Sequence, residues 1–379
     1  MECLRYTQFG NTGIQVSKLG FGAMRLPMRS INGKDVVDED KAVPLLLEAF
    51  SQGVNYVDTA PSYCNGYSEI AVGKALKEWQ GSKVYLSTKN PVSNDSYDDF
   101  MKRLEDSLKK LDVDCIDFYH LWGINWKQYC EVIDVAGGPI DAIHRAKEEG
   151  LIRHISFSFH DESKYMKKLV DTGHFESVLC QYNLLDRANE EALSYAREKG
   201  LGTVVMGPVA GGRLGAPSEV IQNLLGRKSA STAEMALRFV VANEDVSIAL
   251  SGMENLDMLK ENVAVASLEG TLTDEELAQI KRMLDENKKL ADLYCTGCNY
   301  CQPCPKGVGI AKIFQLMNLY RVYGVKEYAK GQYQAMRERK KENEHDASYC
   351  ISCGQCEKKC PQKIAIMKQL QECDKILGS

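Results

Sequence analysis

The chain has 379 residues, of which 44% are hydrophobic and 26% charged, with 47 basic against 52 acidic side chains and a net charge of −5. That apolar content supports a sizeable core, and the length suits one large domain of about 250 to 300 residues with a small one beside it. The balance lacks the basic surplus of a nucleic-acid or anionic-membrane binder. The opening stretch shows no export signal and no apolar run approaches a bilayer's thickness, so the expected setting is reducing and cytoplasmic, with no nucleic-acid or membrane partner.

Short β-branched runs alternate with amphipathic stretches along the first 290 residues. The strand candidates are "VSKLGFG" at 16–22, "VNYVDTA" at 54–60, "KVYLSTK" at 83–89, "CIDFYHLW" at 115–122, "RHISFSF" at 153–159, "SVLCQY" at 177–182, "GTVVMGP" at 202–208 and "VSIALSG" at 246–252. Helical periodicity falls between them, as in "DEDKAVPLLLEAFSQG" and "DDFMKRLEDSLKKLD". Eight such units close naturally into a (β/α)8 barrel. A doubly wound open sheet is the alternative, but no G-x-G-x-x-G opens a helix after any strand.

Catalytic groups of such a barrel project from the C-terminal ends of its strands. Asp58 ends the second predicted strand, Tyr63 lies in the loop after it and Lys89 ends the third. Singly, Asp58 reads equally well as a turn cap, Tyr63 as a loop aromatic and Lys89 as a solvated cation. Together at adjacent strand ends they make a proton donor. A phenol gives up its proton near neutrality when an ammonium stabilises the phenolate, and the ammonium stays charged beside a carboxylate.

Beyond residue 290 the character changes. The charge run "MRERKKENEHD" at 336–346 reads as a solvated helix face or loop, and it lies between "CTGCNYCQPCP" and "CISCGQCEKKCP". These runs hold Cys295, Cys298, Cys301 and Cys304, and Cys350, Cys353, Cys356 and Cys360. Disulfides between neighbours three residues apart would be strained. Zinc is the plainer alternative and ordinarily takes two C-x-x-C pairs separated by a longer loop. The second run matches C-x2-C-x2-C-x3-C-P in full, and the first is one residue short before Cys304. In that pattern the fourth thiolate ligates the other cluster. Two 4Fe-4S clusters are therefore expected, one on Cys295, Cys298, Cys301 and Cys360, the other on Cys350, Cys353, Cys356 and Cys304. The helix-like "IAKIFQLMNLYRVYG" between them is expected to bring the runs side by side. Cys3, Cys64, Cys115, Cys130, Cys180 and Cys373 read as ordinary thiols.

The stretches "NYVDTAPSYCNGYSE", "VYLSTKN", "GLIRHISFSFHD", "QYNLLD", "VMGPVAGGRLG" and "IALSGMENLDMLKENV" resemble, in order, motifs of the aldo/keto reductases. The resemblance spans about residues 4 to 290, and the tail resembles that of a branch carrying a ferredoxin-like domain. It implies residues 1–290 as a barrel and 291–379 as a small, mainly helical iron–sulfur domain. It also implies a nicotinamide cofactor, NADP or NAD, and a small carbonyl or alcohol substrate, with a redox partner protein suited to the tail. Tyr63 would be the general acid, Lys89 its tuner and Asp58 the partner of Lys89.

The family's fourth catalytic position, ordinarily His, is Trp122 here, with His120 two residues earlier on the same side of the strand. An indole N–H donates a hydrogen bond but takes no charge. Ser158 and Gln181 match positions that hold the nicotinamide amide. Met206 replaces the stacking aromatic, and Phe159 stands where Asn is usual. Ser251, Gly252, Met253, Glu261 and Asn262 match the adenosine end, where Met258 replaces a phosphate-gripping base. Hydride transfer moves two electrons and each cluster one. The competing expectation is accordingly an electron-transfer or docking protein whose barrel has lost hydride chemistry.

Overall fold

The computed structural model describes residues 4–92, 96–224, 229, 231–268, 272–292, 295, 301–339, 341–360 and 363–379, so that Cys3 and Cys298 fall outside the described residues. The chain divides into two compact units, Met1–Ala210 with Ala236–Thr271, and Gly211–Met235 with Leu272–Ser379. Among the described residues no helix is long and apolar enough to cross a membrane.

The first unit opens with an antiparallel hairpin, β1 (Tyr6–Gln8) with β2 (Gln15–Ser17), followed by β3 (Leu19–Gly22). A second hairpin, β4 (Met28–Ile31) with β5 (Lys34–Val37), turns through Asn32 and Gly33, both at positive φ. The remaining strands are β6 (Tyr56–Asp58), β7 (Tyr85–Pro91), β8 (Ile116–Ile124), β9 (Ile152–Phe159), β10 (Ser177–Gln181), β11 (Gly202–Met206) and β12 (Ile248–Ser251). Together with β3 they close a barrel in the order β3-β6-β7-β8-β9-β10-β11-β12, every pair parallel.

Each of the eight stretches read as strands overlaps one barrel strand, with β7 and β8 running two residues further and β9 starting one residue earlier. Both faces of a parallel barrel strand are covered, which is why β7 and β9 are buried along most of their length, polar residues included. The first stretch divides at Lys18. Val16 and Ser17 pair back onto Thr7 and Tyr6, and only Leu19–Gly22 enters the barrel. The Asn55 side chain holds that division, accepting from Ser17 N at 2.8 Å and donating to Gln15 O at 2.9 Å. The helix Tyr97–Leu111 illustrates the crossovers. Ser96 and Asp99 form a capping box at its start, Asp112 ends it in the left-handed region, and Phe100, Leu104, Ser107 and Leu111 make its buried face.

The hairpin β1–β2 carries the apolar plug of the barrel. Phe9 and Val16 are fully buried with Tyr56, Phe118, Leu179, Val204, Ile248 and Leu250, and the Phe9 ring meets Phe118 edge-on at 4.9 Å. The next residue is Gly10, at φ 51°, where a Cβ would fall 2.4 Å from Gly200 O. Only glycine lets the backbone pass so close.

In the second unit the main helices are Asp274–Asp292, Ile310–Arg321, Lys326–Arg339 and Ile366–Leu377. Tyr333, fully buried, donates to Asp374 Oδ1 at 2.6 Å and accepts from Ala347 N at 3.0 Å, while Arg337 pairs with Asp374 at 2.7 Å. Two helices and the segment leading to Cys350 are thereby fixed together. A parallel bridge joins Val308 to His345, with Gly309 N donating to His345 O and His345 N to Gly307 O, both at 2.9 Å. It links the chain just after one cysteine run to the chain just before the other. The charge run between the runs is not wholly solvated: Asp346 is 2% exposed and caps the turn Ala347–Tyr349.

Phe9→Ala should cost about 3–5 kcal/mol, because a cavity replaces the plug. Denaturant unfolding followed by hydrogen exchange in the barrel strands measures it. A cost below about 1 kcal/mol would show that the plug is not what closes this end.

Candidate functional site

The register of the barrel brings the site together. Asp58 pairs with Ser87, and Lys89 with His120, so the ends of β6, β7 and β8 face one another. Lys89 Nζ donates to Asp58 Oδ2 at 2.6 Å and to Thr59 O at 2.7 Å, with Lys89 1% and Asp58 3% exposed. Charges this deep persist only when paired and hydrogen-bonded. Burial works against the ammonium, but Asp58 and then Tyr63 outweigh it and hold the Lys89 pKa above its ordinary value.

Tyr63 begins a tight turn in which Cys64, Asn65 and Gly66 all take positive φ, at 51°, 57° and 90°. Asn65 tolerates this region and donates to Asp35 O at 3.0 Å, tying the turn to β5. The turn sets the Tyr63 ring with its centroid 4.6 Å from Lys89 Nζ and packs it edge-on against Trp122 at 5.9 Å and 88°. Burial raises the phenol's pKa above 10, while Lys89 pulls it down.

His120 is fully buried beneath this pair, with Nε2 2.9 Å from Ser87 Oγ. Ser87 gives its one proton to Asp58 Oδ1 at 2.9 Å, so it accepts from an Nε2–H of His120. Burial and then the Lys89 charge press the imidazole down to about 3, leaving a neutral ring. Trp122, two residues further along β8 and opposite Pro91, is half-buried and reaches Tyr63 instead. Ser87 escaped the sequence reading. Its signal was there, since it stands two residues before Lys89 on the same side of β7.

The residues matched to a nicotinamide site lie at neighbouring strand ends. Ser158, 1% exposed near the end of β9, accepts from Gly123 N at 2.7 Å. Gln181 ends β10 and pairs in register with Met206, which ends β11 and packs against the barrel core. At Gly207, φ 64°, a Cβ would lie 3.0 Å from Gln181 Nε2. Phe159 is fully buried. Ser251 ends β12 and accepts from Asn262 Nδ2 at 3.0 Å, both residues being buried. Met253 is fully buried, Glu261 is exposed, and Gly252 lies against the Arg25 side chain.

In the second unit, Cys301, Cys304, Cys350, Cys353 and Cys356 border one cavity. Ser352 and Gly354, at φ 54° and 70°, curl the loop so that Cys350, Cys353 and Cys356 reach that cavity from one short stretch. Cys360 caps the end of the helix Gln355–Lys359 and does not border it, and Cys298 lies outside the described residues. Among the described residues, no three Cys, His, Asp or Glu side chains are grouped to hold a single metal ion. A cubane binds each thiolate at a different iron, so its ligands stand around a cavity without meeting at one point, and this donor set fits it. Elsewhere, Cys180 and Cys373 are buried, burial pushing the Cys373 thiol up to about 12, while Cys130 is exposed.

Residues 18–285 match the aldo/keto reductase family, and residues 294–366 match the 4Fe-4S dicluster domain. L-galactose dehydrogenase of Arabidopsis thaliana is 32% identical over 317 residues, covering 76% of this chain and 97% of that protein. NADH-specific methylglyoxal reductase of Escherichia coli is 25% identical, covering 73% and 97%. The holo form of an aldo-keto reductase from Bacillus halodurans superposes with a TM-score of 0.62 at 30% identity, covering 74% of this chain and 96% of its own. The eight-stranded barrel and these matches together place the chain in the aldo/keto reductase family, as an oxidoreductase with a C-terminal 4Fe-4S dicluster domain.

Proposed function

We propose that the barrel is a cytoplasmic nicotinamide-dependent oxidoreductase acting on a small carbonyl or alcohol, and that residues 291–379 carry two 4Fe-4S clusters. The observation that carries the first part is the buried Asp58–Lys89 pair beneath the Tyr63 ring. A bound nicotinamide supplies the hydride. Tyr63 then gives its proton to the carbonyl oxygen, and Lys89, kept charged by Asp58, stabilises the phenolate left behind. Trp122, at the edge of Tyr63, covers the phenol from the β8 side and donates its indole N–H to the substrate. Ser158 and Gln181 orient the nicotinamide amide, Met206 packs on its ring, and Ser251, Gly252, Met253, Glu261 and Asn262 frame the adenosine end. Two relatives named for L-galactose and methylglyoxal are consistent with a small oxygenated substrate.

For the tail, the carrying observation is the cavity bordered by Cys301 and Cys304 of one run and Cys350, Cys353 and Cys356 of the other, with Cys360 outside it. It supports crossed ligation, with Cys360 joining Cys295, Cys298 and Cys301. Each cluster supplies one electron at a time, which suits exchange with a redox partner protein.

Tyr63→Phe is expected to lower carbonyl turnover at least about a hundredfold, with the nicotinamide dissociation constant changed less than about twofold. Steady-state kinetics with a nucleotide titration reads both, and retained turnover would mean that the proton comes from elsewhere.

Ser87→Ala removes a hydrogen bond that favours ionised Asp58. The acid limb of the pH–rate profile, where Asp58 takes up a proton and releases Lys89, should move to higher pH. A limb that stays in place would limit Ser87 to packing.

Anaerobically purified protein should hold about eight irons per chain. In Cys360→Ala the damaged cluster should be the one on the first run, leaving the spectrum of the Cys350 cluster intact. Loss of that second cluster instead would establish local ligation.

A further inference from the structure

The turn after β12 and the helix Leu256–Ser267 face the adenosine half of the cofactor proposed above, and the charge there is acidic. Glu254 lies in the turn, Asp257 in the first helical turn and Glu261 one turn further, all exposed. Met258, 41% exposed, occupies the place of a phosphate-gripping base. Lys260 does not replace it. At about 100° per residue it points some 200° around the helix from Met258.

Arg25, in the turn after β3, does reach this place. Its side chain lies along Gly252, where a Cβ would come 3.4 Å from Arg25 Cδ, and its Nη1 stands 3.9 Å from Glu254 Oε1. The guanidinium is therefore already matched by a carboxylate.

Resting on the nicotinamide reading, we infer that this end of the barrel selects NAD(H) over NADP(H), with Glu254 as the discriminating group. A ribose 2′-hydroxyl has a proton to give, and a carboxylate accepts it. A 2′-phosphate has only acceptor oxygens and negative charge, so it meets Glu254 as a repulsion and finds Arg25 occupied. The selection works through an unfavourable contact with the wrong cofactor as much as a favourable one with the right cofactor.

The test is a fluorescence titration of the intact, cluster-containing protein with NADH and with NADPH, which needs no substrate. Wild type should bind NADH at least about tenfold more tightly. Glu254→Gln keeps the side-chain shape and removes the carboxylate charge from beside Arg25. It should tighten NADPH about tenfold and weaken NADH, and adding Arg25→Gln should remove the gain for NADPH. Equal or tighter binding of NADPH by wild type overturns the inference and leaves the nicotinamide reading standing, as does an unchanged ratio in Glu254→Gln. Binding of neither nucleotide overturns the nicotinamide reading itself, and the inference with it.

Discussion

The ion pair between Lys89 and Asp58 is the constraint from which the rest of the site follows. Two charges removed from water are costly, and stripping one partner from such a pair typically costs about 3–5 kcal/mol. The structure meets that cost with geometry: Thr59 O takes a second Lys89 proton and Ser87 Oγ satisfies the other Asp58 oxygen. The β6–β7 register is fixed as well. A slip of one residue would turn Lys89 away from the barrel interior and leave Asp58 buried without a counter-charge. Burial first, and then the same ammonium, keep His120 neutral, and that ammonium also sits against the Tyr63 ring.

That polar end contrasts with the other. Phe9 and Val16, delivered by a hairpin outside the barrel order, fill the interior with apolar side chains, and Gly10 permits the close passage that puts Phe9 there. A barrel sealed by dispersion contacts at one end holds its strands in register. Ionisable groups at the other end are thereby carried on strands whose register is fixed. The turn Tyr63–Gly66, with three successive residues at positive φ, is tied to β5 through Asn65. Local strain of this kind persists because its surroundings over-determine it.

The second unit solves a different problem with similar means. Its cysteines come from two runs far apart in the chain, and the Val308–His345 bridge and the Tyr333–Asp374–Arg337 group bring the flanking segments together. Cys301 and Cys304 thereby meet the cavity of the Cys350 loop. The aromatic His345–Tyr349 stack, with centroids 4.3 Å apart, stiffens the approach to that loop.

Much of this was legible in the chain itself. Eight short β-branched runs with helical periodicity between them pointed to the barrel, because strands alternating with crossover helices form a parallel sheet. The spacing of the cysteines pointed to the cluster chemistry, and Asp58, Tyr63 and Lys89 stood out at strand ends. The Asn32–Gly33 turn was an available signal for the β4–β5 hairpin, and Ser87 was available from its two-residue offset to Lys89. What the tertiary structure alone decided are matters of meeting across the sequence. They are the division of the first strand at Lys18, the burial of Asp346 within a charge run, the reach of Trp122 to Tyr63 while His120 stays beneath, and the pairing of Arg25 with Glu254. Periodicity and spacing report what a segment can be, whereas a contact between residues distant in the chain exists only once the barrel has closed and fixed both.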